Sequence, residues 1–301
     1  MARILLAIVV IVVLVAAAGA FVVWRYPLEI ADAMSRRAMS KAGFTRGTLA
    51  GPHGALSYWS GGSAAPVVIL LHGGADEGSS WSKTAPTLAA SHRVVVPDLP
   101  GHGESEPKQG PLPVGLLVES IGALVEQEAA RGPVTLVGNS LGGWVALHLA
   151  IQKPAQVGRL VLEDAGGMYW TGAEPVNFQP KTRQESLALF RATTGPDISV
   201  PPSFVIDRLG ERLREGPMSR LLQASVVEFL LLDQLAQVSQ RADLIWGDHD
   251  KVLPLDYAEE MARRLPNAKL HVMARTGHVP HREKPREFNE LLMKVLGTPE
   301  P

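Results

Sequence analysis

The apolar positions of the chain fall mainly into short runs, separated by longer stretches in which apolar residues recur at helical spacing. Short runs rich in β-branched residues predict buried strands. The predicted strands span residues 45–49, 55–59, 67–71, 93–97, 134–137, 160–162, 242–246 and 270–273. The first two are joined by a turn at residues 51–54 and predict a β-hairpin. Alternating strands and helices predict an α/β protein, and 301 residues leave room for one large domain with an insertion or for two small domains.

An uninterrupted run of apolar or small residues spans positions 4–24. As a helix it would be about 31 Å long, which is enough to cross the hydrocarbon layer of a bilayer. The alternative is a cleaved signal peptide, because Ala18-Gly19-Ala20 resembles a cleavage site. The apolar run continues past that site, and Trp24 suits the membrane interface. We therefore expect residues 1–27 to be a retained single-pass membrane anchor, with a secreted form if the segment is cleaved.

The side of the membrane stays open on sequence grounds. Four basic residues between positions 25 and 41 outnumber the single Arg3 before the apolar run, which favours a cytoplasmic location for the bulk of the chain. The short, signal-like N-terminus favours the opposite side. Residues 28–43 form a predicted juxtamembrane spacer, for which we prefer a solvated linker to a short amphipathic helix.

One long stretch, residues 166–240, departs from the alternation of strands and helices and is mostly helical in pattern. Its first helix begins with Thr182-x-x-Glu185, a capping box in which each side chain can satisfy a free backbone N–H. This first helix ends near Phe190. A second follows Pro201-Pro202 and ends near Leu213, and a third runs from about 218 to Val238. We expect this stretch to form a helical lid between two core segments, residues 44–165 and 241–297.

Composition excludes several classes of function. Lys and Arg total 29 against 30 Asp and Glu, so the net charge gives no reason to expect nucleic acid as a partner. The absence of cysteine excludes disulfides, thiolate catalysis and Cys-based zinc sites. The nine histidines include no H-E-x-x-H pair. We expect no metal and no cofactor, and the oligomeric state stays open.

A candidate nucleophile lies where a predicted strand meets a predicted helix. The sequence Gly138-Asn139-Ser140-Leu141-Gly142 follows the run at 134–137 and precedes an apolar stretch that ends near Pro154. A serine at a sharp strand-to-helix turn is held clear of its neighbours, and the two glycines remove side chains that would crowd such a turn. Because a serine hydroxyl needs an adjacent base to react, Ser140 predicts a histidine and an acid elsewhere in the chain.

A glycine pair after another buried strand is the candidate for stabilising negative charge. His72-Gly73-Gly74 directly follows the run at 67–71. The backbone N–H of Gly74, with that of Leu141, would form an oxyanion hole for the chemistry of Ser140. The alternative is an ordinary glycine turn that joins a strand to a helix.

Five motifs together resemble the α/β-hydrolase family from about residue 45 to 296. They are Leu-His-Gly-Gly at 71–74 with Trp81, Asp-Leu-Pro-Gly-His-Gly-Glu-Ser at 98–105, Gly-Asn-Ser-Leu-Gly-Gly at 138–143, Gly-Asp-His-Asp-Lys-Val-Leu-Pro at 247–254, and Thr-Gly-His at 276–278. Their order also matches that family. The resemblance implies an α/β-hydrolase fold, in which a mostly parallel sheet carries helices on both faces.

The resemblance also implies an acid and a base for Ser140. The family places its acid three residues after a glycine and four before a proline, which selects Asp250 between Gly247 and Pro254. His278 has the Gly-His context of the family's base. It would take the proton of Ser140, while Asp250 would fix the tautomer of the imidazole and stabilise its charged form.

Three residues are alternatives for these roles. Asp248 lies in the same loop as Asp250, and Asp164 ends the strand at 160–162, where the acid is placed more rarely. His281 follows His278 by three residues but lacks the Gly-His context. We interpret His281 as a surface loop residue, His102 as structural, and the histidines at 72, 148, 249 and 271 as structural or incidental.

The predicted activity is hydrolysis of carboxylic esters through an acyl-enzyme. Residues 178–185 and the predicted anchor resemble membrane-anchored monoacylglycerol lipases and related bacterial lipases, so the expected partner is a lipid-like ester. Met168, Tyr169, Trp170 and Phe178 are candidates for an acyl pocket. Gly-Asn-Ser-x-Gly-Gly and Ala165-Gly166-Gly167 also resemble hydrolases that cleave carbon–carbon bonds of anionic ring-fission products, for which Arg183, Arg191 and Arg208 are candidate contacts. A catalytically silent, membrane-tethered binding protein is the third alternative.

Overall fold

An eight-stranded sheet forms the centre of the protein. The structure is a computed structural model that describes residues 2–63, 65–170, 172, 176–225, 227–231 and 233–297. The strands are β1 (Thr45–Gly51), β2 (Gly54–Gly61), β3 (Val67–Leu71), β4 (Arg93–Pro97), β5 (Val134–Asn139), β6 (Val157–Glu163), β7 (Arg241–Gly247) and β8 (Ala268–Met273). Their order across the sheet is β1-β2-β4-β3-β5-β6-β7-β8. Each predicted strand lies within one of these observed strands.

The sheet is antiparallel at one edge and parallel elsewhere. β1 pairs with β2, and β2 with β4, in antiparallel register, whereas β4, β3, β5, β6, β7 and β8 pair in parallel. Every residue of β3 and of β5 is buried, as expected for central strands covered on both faces. The predicted α/β-hydrolase fold, with its mostly parallel sheet, is confirmed.

Helices cover both faces of the sheet. On one face pack α4 (Val114–Ala129), α5 (Leu141–Gln152) and α9 (Leu255–Arg264), whose apolar side chains join the larger buried cluster. On the other face, α3 (Ala85–Ala89) and α11 (Pro285–Leu296) contribute Leu88, Phe288 and Leu292 to a second cluster. The carboxyl ends of the parallel strands stay clear of both layers, and this edge is where open α/β sheets place functional groups.

The N-terminal helix α1 (Ala2–Arg25) is apolar and exposed along its length. The segment Arg3–Arg25 is long and apolar enough to cross a membrane, with none of its apolar window buried against the rest of the protein. A soluble protein exposes few contiguous apolar side chains, because water solvates them poorly. The helix fits either a membrane anchor or a signal sequence.

The segment after α1 differs from the preferred expectation of a solvated linker. It forms helix α2 (Pro27–Lys41), which begins with proline in its first turn and buries Met39 completely. Two ion pairs attach it to the body: Arg36 Nε lies 2.8 Å from Glu77 Oε1, and Arg212 Nη2 lies 2.7 Å from Asp32 Oδ2. The charges of α2 therefore serve tertiary contacts, which the local pattern does not reveal.

The chain between β6 and β7 contains α6 (Arg183–Thr193), α7 (Ser203–Glu215) and α8 (Pro217–Leu222). Thr182 caps α6, since its Oγ1 accepts the N–H of Glu185 at 3.2 Å. The first two predicted helices match α6 and α7, but the continuous helix predicted from 218 to 238 is wrong. α8 ends at Leu222, and the described residues between Gln223 and Val238 contain short 3₁₀ turns at Val227–Phe229 and Leu235–Gln237 in place of a continuous helix.

Tertiary hydrogen bonds explain why that third helix is broken. The carbonyl of Phe229 accepts the indole N–H of Trp144 at 2.8 Å, and His148 Nε2 lies 2.8 Å from the same oxygen. The N–H of Leu231 donates to the carbonyl of Gly167 at 2.7 Å. These bonds to the core replace intrahelical ones, and the ring of Phe229 packs edge-on against that of His148 in α5, with centroids 6.2 Å apart.

Candidate active site

Ser140 occupies a strained turn between β5 and α5. Its φ is 50° and its ψ is −111°, a combination that few residues with a side chain adopt. The backbone N–H of Ser140 donates to the carbonyl of Glu163 at 3.0 Å, and the carbonyl of Ser140 accepts the N–H of Gly166 at 3.0 Å. Ser140 is half-buried, whereas the preceding strand is buried throughout. The turn thus presents the serine at the carboxyl edge of the sheet.

The glycines on either side of Ser140 allow the turn to form. A Cβ at Gly138 would lie 2.5 Å from the carbonyl carbon of Gly142, and a Cβ at Gly142 would lie 2.4 Å from the carbonyl oxygen of Leu71. Both distances are far shorter than any van der Waals contact between such atoms. Because the obstacles are backbone atoms, no rotation of a side chain could relieve the overlap.

The predicted base and the predicted acid are in direct contact. Nδ1 of His278 lies 2.7 Å from Oδ2 of Asp250, and both residues are buried. The other oxygen of Asp250 accepts the N–H groups of Val252 at 2.8 Å and Leu253 at 3.1 Å. With Nδ1–H held by the carboxylate, Nε2 of the imidazole carries the free lone pair and can accept a proton.

The environment of His278 favours its charged form. Burial lowers the pKa of His278, but the charge of Asp250 and the hydrogen bond to it outweigh burial, so the pKa lies above the ordinary value. The charges of Glu163 and Glu283 act in the same direction. Such a histidine can hold a proton that it has taken from a neighbouring hydroxyl.

Asn139 joins the serine turn to the histidine loop, a role that the sequence did not indicate. Its side-chain Nδ2 donates to the backbone carbonyl of His278 at 3.0 Å and to that of Glu163 at 3.3 Å. Asn139 is buried at the last position of β5, directly before Ser140. The sequence signal for this role is the position of Asn139 in the Gly-Asn-Ser motif. The role itself is not visible in the sequence, because a buried amide needs hydrogen-bond partners that only the folded chain can supply.

The loop of the predicted oxyanion hole is held by His72. Its Nε2 accepts the N–H of Leu99 at 2.9 Å, which leaves Nδ1–H to donate to the carbonyl of Gly73 at 2.7 Å. This loop passes close to the serine, since a Cβ at Gly73 would lie 3.5 Å from the Cβ of Ser140. Gly74, the predicted donor, is half-buried there.

The second predicted donor, the N–H of Leu141, belongs to the first turn of α5. N–H groups in a first turn lack partners within their own helix, so they are free to bind an anion. Helix α8 covers this region, because the sulfur of Met218 would lie 2.9 Å from a Cβ at Gly74, and a side-chain carbon of Leu141 would lie 3.5 Å from it.

The C-terminal end of α6 is bonded to both loops of the acid–base pair. The backbone N–H of His278 donates to the carbonyl of Thr193 at 3.0 Å, and that of Lys251 donates to the carbonyl of Ala192 at 3.1 Å. Glu283 strengthens this attachment, since its carboxylate accepts the N–H groups of Gly195 at 2.9 Å and Gly277 at 3.1 Å. The C-terminal end of α6 is thus part of the framework that holds His278.

Two of the alternative residues are engaged elsewhere. Asp248 is exposed, and its Oδ1 contacts Nδ1 of His249 at 2.6 Å and the N–H of Thr276 at 3.2 Å. His281 is buried rather than on the surface, stacks on Trp81 with ring centroids 3.8 Å apart, and contacts Glu163 through Nδ1 at 2.8 Å. Neither arrangement brings these side chains to the Asp250–His278 pair.

The third alternative, Asp164, lies beside that pair. Donor atoms of Asp164, Asp250 and His278 all lie within 4.8 Å of one another. Such a group could bind a cation, but Nδ1 of His278 and Oδ2 of Asp250 are already joined by a 2.7 Å contact. The geometry therefore favours a hydrogen-bonded cluster over a metal centre.

Ser140 lies on a strained strand-to-helix turn at the carboxyl edge of a parallel sheet, next to the loop of a buried Asp–His pair. This arrangement is the architecture of an α/β-type hydrolase. The family model described as the alpha/beta hydrolase family matches residues 68–291, and the chain belongs to this family. The protein is therefore a hydrolase. The assignment of particular catalytic roles to Ser140, Asp250, His278, Gly74 and Leu141 stays a prediction.

Individual relatives fall into two groups of activity. The 2-hydroxy-6-oxo-6-phenylhexa-2,4-dienoate hydrolase of Burkholderia cepacia is 28% identical over 262 residues, which cover 76% of this chain and 87% of that protein. A bacterial membrane phospholipase A of known structure is 27% identical, covers 98% of both chains and superposes with a TM-score of 0.76. A carboxylesterase from Bacillus subtilis is 17% identical and superposes with a TM-score of 0.70 over 88% of this chain and 98% of the carboxylesterase chain. At this identity, the likeness shows a shared fold alone.

Proposed function

We propose that the protein is a serine hydrolase that cleaves carboxylic esters, with Ser140 as nucleophile, His278 as base and Asp250 as its acid partner. The observation that carries the proposal is the 2.7 Å contact between buried Asp250 and His278, in a loop that Asn139 ties to the strained Ser140 turn. A buried carboxylate on Nδ1 is what a general-base histidine needs, because it fixes the tautomer and stabilises the charged ring.

The proposed reaction proceeds in two halves. His278 Nε2 accepts the hydroxyl proton as Ser140 Oγ attacks the ester carbonyl, and the N–H groups of Gly74 and Leu141 bind the resulting oxyanion. His278 then gives the proton to the departing alcohol, which leaves an acyl group on Ser140. Water, deprotonated by His278, attacks the acyl-enzyme, and the carboxylic acid and free Ser140 are the products.

A lipid-like ester is the proposed substrate class. The membrane phospholipase A resembles this chain along 98% of its length, including the N-terminal helix region, and α1 has the length and hydropathy to hold the enzyme at a bilayer. Long-chain esters concentrate in bilayers, so an anchored enzyme meets them there. We propose that α1 is a retained anchor and that the insertion at residues 166–240 is the lid.

The residues proposed for an acyl pocket contribute unequally. Met168 is buried, and its N–H is bound by the hydroxyl of Tyr257 at 2.8 Å, while Trp170 packs edge-on against the same tyrosine at 6.0 Å. Both therefore pack the lid onto the core. Met218, which covers Gly74 from α8, is a stronger candidate for contact with an acyl chain.

Hydrolysis of a carbon–carbon bond is the second candidate. Identity of 28% to the dienoate hydrolase favours it. The three arginines proposed to bind an anionic product of ring fission weaken it: Arg183 pairs with Asp207, Arg208 pairs with Glu211, and Arg191 is exposed. Arg183 and Arg208 instead line a cavity of about 440 Å³ beside Trp24 at the end of α1.

One set of assays separates these functions. Purified full-length protein is tested against p-nitrophenyl esters of increasing chain length, monoacylglycerols and a 2-hydroxy-6-oxo-dienoate, with Ser140→Ala as control. Ester turnover that rises with chain length and disappears in the variant supports the proposal. Turnover of the dienoate alone favours carbon–carbon hydrolysis. Unchanged ester turnover in Ser140→Ala would remove the proposed nucleophile, and failure of a fluorophosphonate probe to label Ser140 would favour a silent binding protein.

A further inference from the structure

Asp164 is a buried acid in an unfavourable backbone conformation. It directly follows β6 with a φ of 41° and is fully buried. Its N–H donates to the carbonyl of Ile245 at 3.1 Å, and its Oδ1 accepts the N–H of Gly247 at 3.1 Å. A non-glycine residue persists in this conformation only where the surrounding structure imposes it, and here the bonds to β7 do so.

The second oxygen of Asp164 faces another acid. Oδ2 has no N–H or O–H donor among the residues that the structure describes, and carboxyl oxygens of Asp164 and Asp250 lie within 4.8 Å of each other. Two ionised carboxylates are both acceptors and repel each other, so two buried carboxyls this close favour a proton on one of them, which can then be donated to the other.

The distribution of donors decides which carboxyl holds the proton. Asp250 receives three donors, namely the N–H groups of Val252 and Leu253 and Nδ1–H of His278. Asp164 receives one, the N–H of Gly247. Hydrogen bonds from several donors favour an ionised carboxylate, and their absence around a buried acid favours its neutral form. The proton therefore resides on Asp164.

The charged groups around Asp164 point the same way. Asp250 faces it from the loop after β7 and Glu163 adjoins it on β6, while the nearby His278 is bonded to Asp250 and His281 to Glu163. Burial, followed by the charges of Asp250 and Glu163, raises the pKa of Asp164 well above its ordinary value.

We propose that Asp164 is a neutral carboxylic acid at physiological pH and that it donates its O–H to Asp250, as a positioning residue for the acid–base pair. The part that concerns catalysis rests on the proposed function of Asp250 and His278. Asp164 does not replace Asp250 as the acid. It holds the Asp250 carboxylate in the orientation that faces His278 and leaves Asp250 as the ionised member of the Asp164–Asp250 pair.

A neutral Asp164 has a measurable thermodynamic consequence. Its folded-state pKa is raised, whereas in the unfolded chain it ionises near pH 4. The unfolded state therefore binds fewer protons than the folded state above that pH, and stability falls as pH rises towards the folded pKa. Asparagine has a similar shape, can donate to Asp250 and accept from Gly247, and carries no proton to lose.

The test compares full-length Asp164→Asn with wild type by thermal unfolding between pH 4 and pH 9. We expect the variant to have the higher Tm at neutral pH, with a gap that widens as pH rises and narrows towards pH about 4. Asp248→Asn is the matched control. Burial alone would raise the pKa of Asp248, but the hydrogen bonds from His249 and the backbone, together with the charge of His249, lower it. Removing the charge of Asp248 should therefore lower Tm above pH about 4. A gap of that same sign in Asp164→Asn would mean that Asp164 is ionised and would overturn the proposal.

Two further measurements separate positioning from packing. Loss of a protonated-carboxyl band in the infrared difference spectrum of Asp164→Asn against wild type supports the proposal, and absence of that band from wild type contradicts it. In ester hydrolysis, Asp164→Asn should keep kcat within about threefold, while Asp164→Ala should lower kcat roughly tenfold with KM little changed. Equal losses in both variants would overturn the positioning role. The Tm and infrared results need no turnover, so they stand even if the ester activity is absent.

Discussion

The side-chain amide of Asn139 is bonded to the backbone carbonyl of His278 at 3.0 Å. The contact spans 139 residues of sequence and connects the neighbour of the proposed nucleophile to the proposed base itself. It fixes the separation of two loops that leave different strands. Without it, each loop could shift independently, and the alignment of Ser140 with His278 would depend on the lid and on Asp250 alone.

Asn139→Ala should therefore reduce both activity and stability. It leaves the buried carbonyl of His278 without this donor, which costs about 2 kcal/mol in free energy of unfolding, and the loosened geometry should lower kcat roughly tenfold or more. Denaturant unfolding and ester kinetics measure the two effects. Asn177→Ala is the control, because that exposed amide contacts Glu185 at 3.1 Å. Equal effects of the two variants would contradict the argument.

Gly142→Ala should prevent normal folding of the serine turn. Its Cβ would lie 2.4 Å from the carbonyl oxygen of Leu71, and overlap with backbone costs about 3 kcal/mol or more. Gly166→Ala in the same neighbourhood is a control for stability, since its nearest contact would be an ordinary 3.7 Å to the carbonyl of Ser140. The Tm of both variants is measured by thermal unfolding. Steric overlap predicts a large loss in Gly142→Ala and little change in Gly166→Ala, and equal losses would contradict it.

The pH dependence of kcat/KM should report the raised pKa of His278. Because the base must be neutral, activity should rise with pH through a pKa above 6.5. Stability should move the other way: the contribution of the charged ring is complete below pH about 6.5 and is lost as pH rises through the folded pKa. Asp250→Asn should shift the rising limb of the pH profile to lower pH and lower kcat about ten-thousandfold. An unshifted limb would mean that another group controls it.

The Asp32–Arg212 ion pair should contribute modestly to the attachment of α2 to the lid. Its side chains are 18% and 28% exposed and lie 2.7 Å apart, so breaking it should cost roughly 0.5–1 kcal/mol. Arg212→Asp should lower Tm, and the exchange Asp32→Arg with Arg212→Asp should recover part of the loss. The lid pair Arg183–Asp207, with Arg183 61% exposed, provides a control for which reversal should change Tm less.

Deletions at the N-terminus should separate anchoring from folding. Removal of residues 2–25 should leave the stability of the body and turnover of soluble esters nearly unchanged, and should abolish flotation with lipid vesicles. Removal of residues 2–41 should lower the free energy of unfolding by about 2 kcal/mol or more, because Met39 is completely buried. Equal stability of the two truncated proteins would contradict the assignment of α2 to the folded body.

Much of the fold was predictable because its signals are local. The runs at 67–71 and 93–97 are strands whose limits the structure reproduces, since an apolar run bounded by glycine, proline or polar residues can be buried in few other ways. The Gly-x-Ser-x-Gly turn has the same character, because the glycines are needed by the turn itself. The Thr182–Glu185 capping contact is likewise local.

The remainder depended on distant parts of the chain. Apolar residues between 218 and 238 recur at helical spacing, yet bonds from Trp144 and His148 to Phe229 hold that segment in another conformation. The charges of α2 are typical of a solvated segment, but in the fold Arg36 pairs with Glu77 and Asp32 pairs with Arg212. The proton that we propose between Asp164 and Asp250 likewise depends on two loops that only the folded sheet brings together.

The bonds from Thr193 and Ala192 to the loops of His278 and Asp250 divide the lid into two regions with different tolerance to change. Substitutions near the C-terminal end of α6 would disturb the chemical step whatever ester is bound. We expect those in α7 and around Phe229, away from Gly74, to alter which substrate fits and to leave the chemical step intact. A homologue could therefore acquire a new substrate range by changing residues of α7 and around Phe229 alone, and directed evolution of specificity is best confined to those segments.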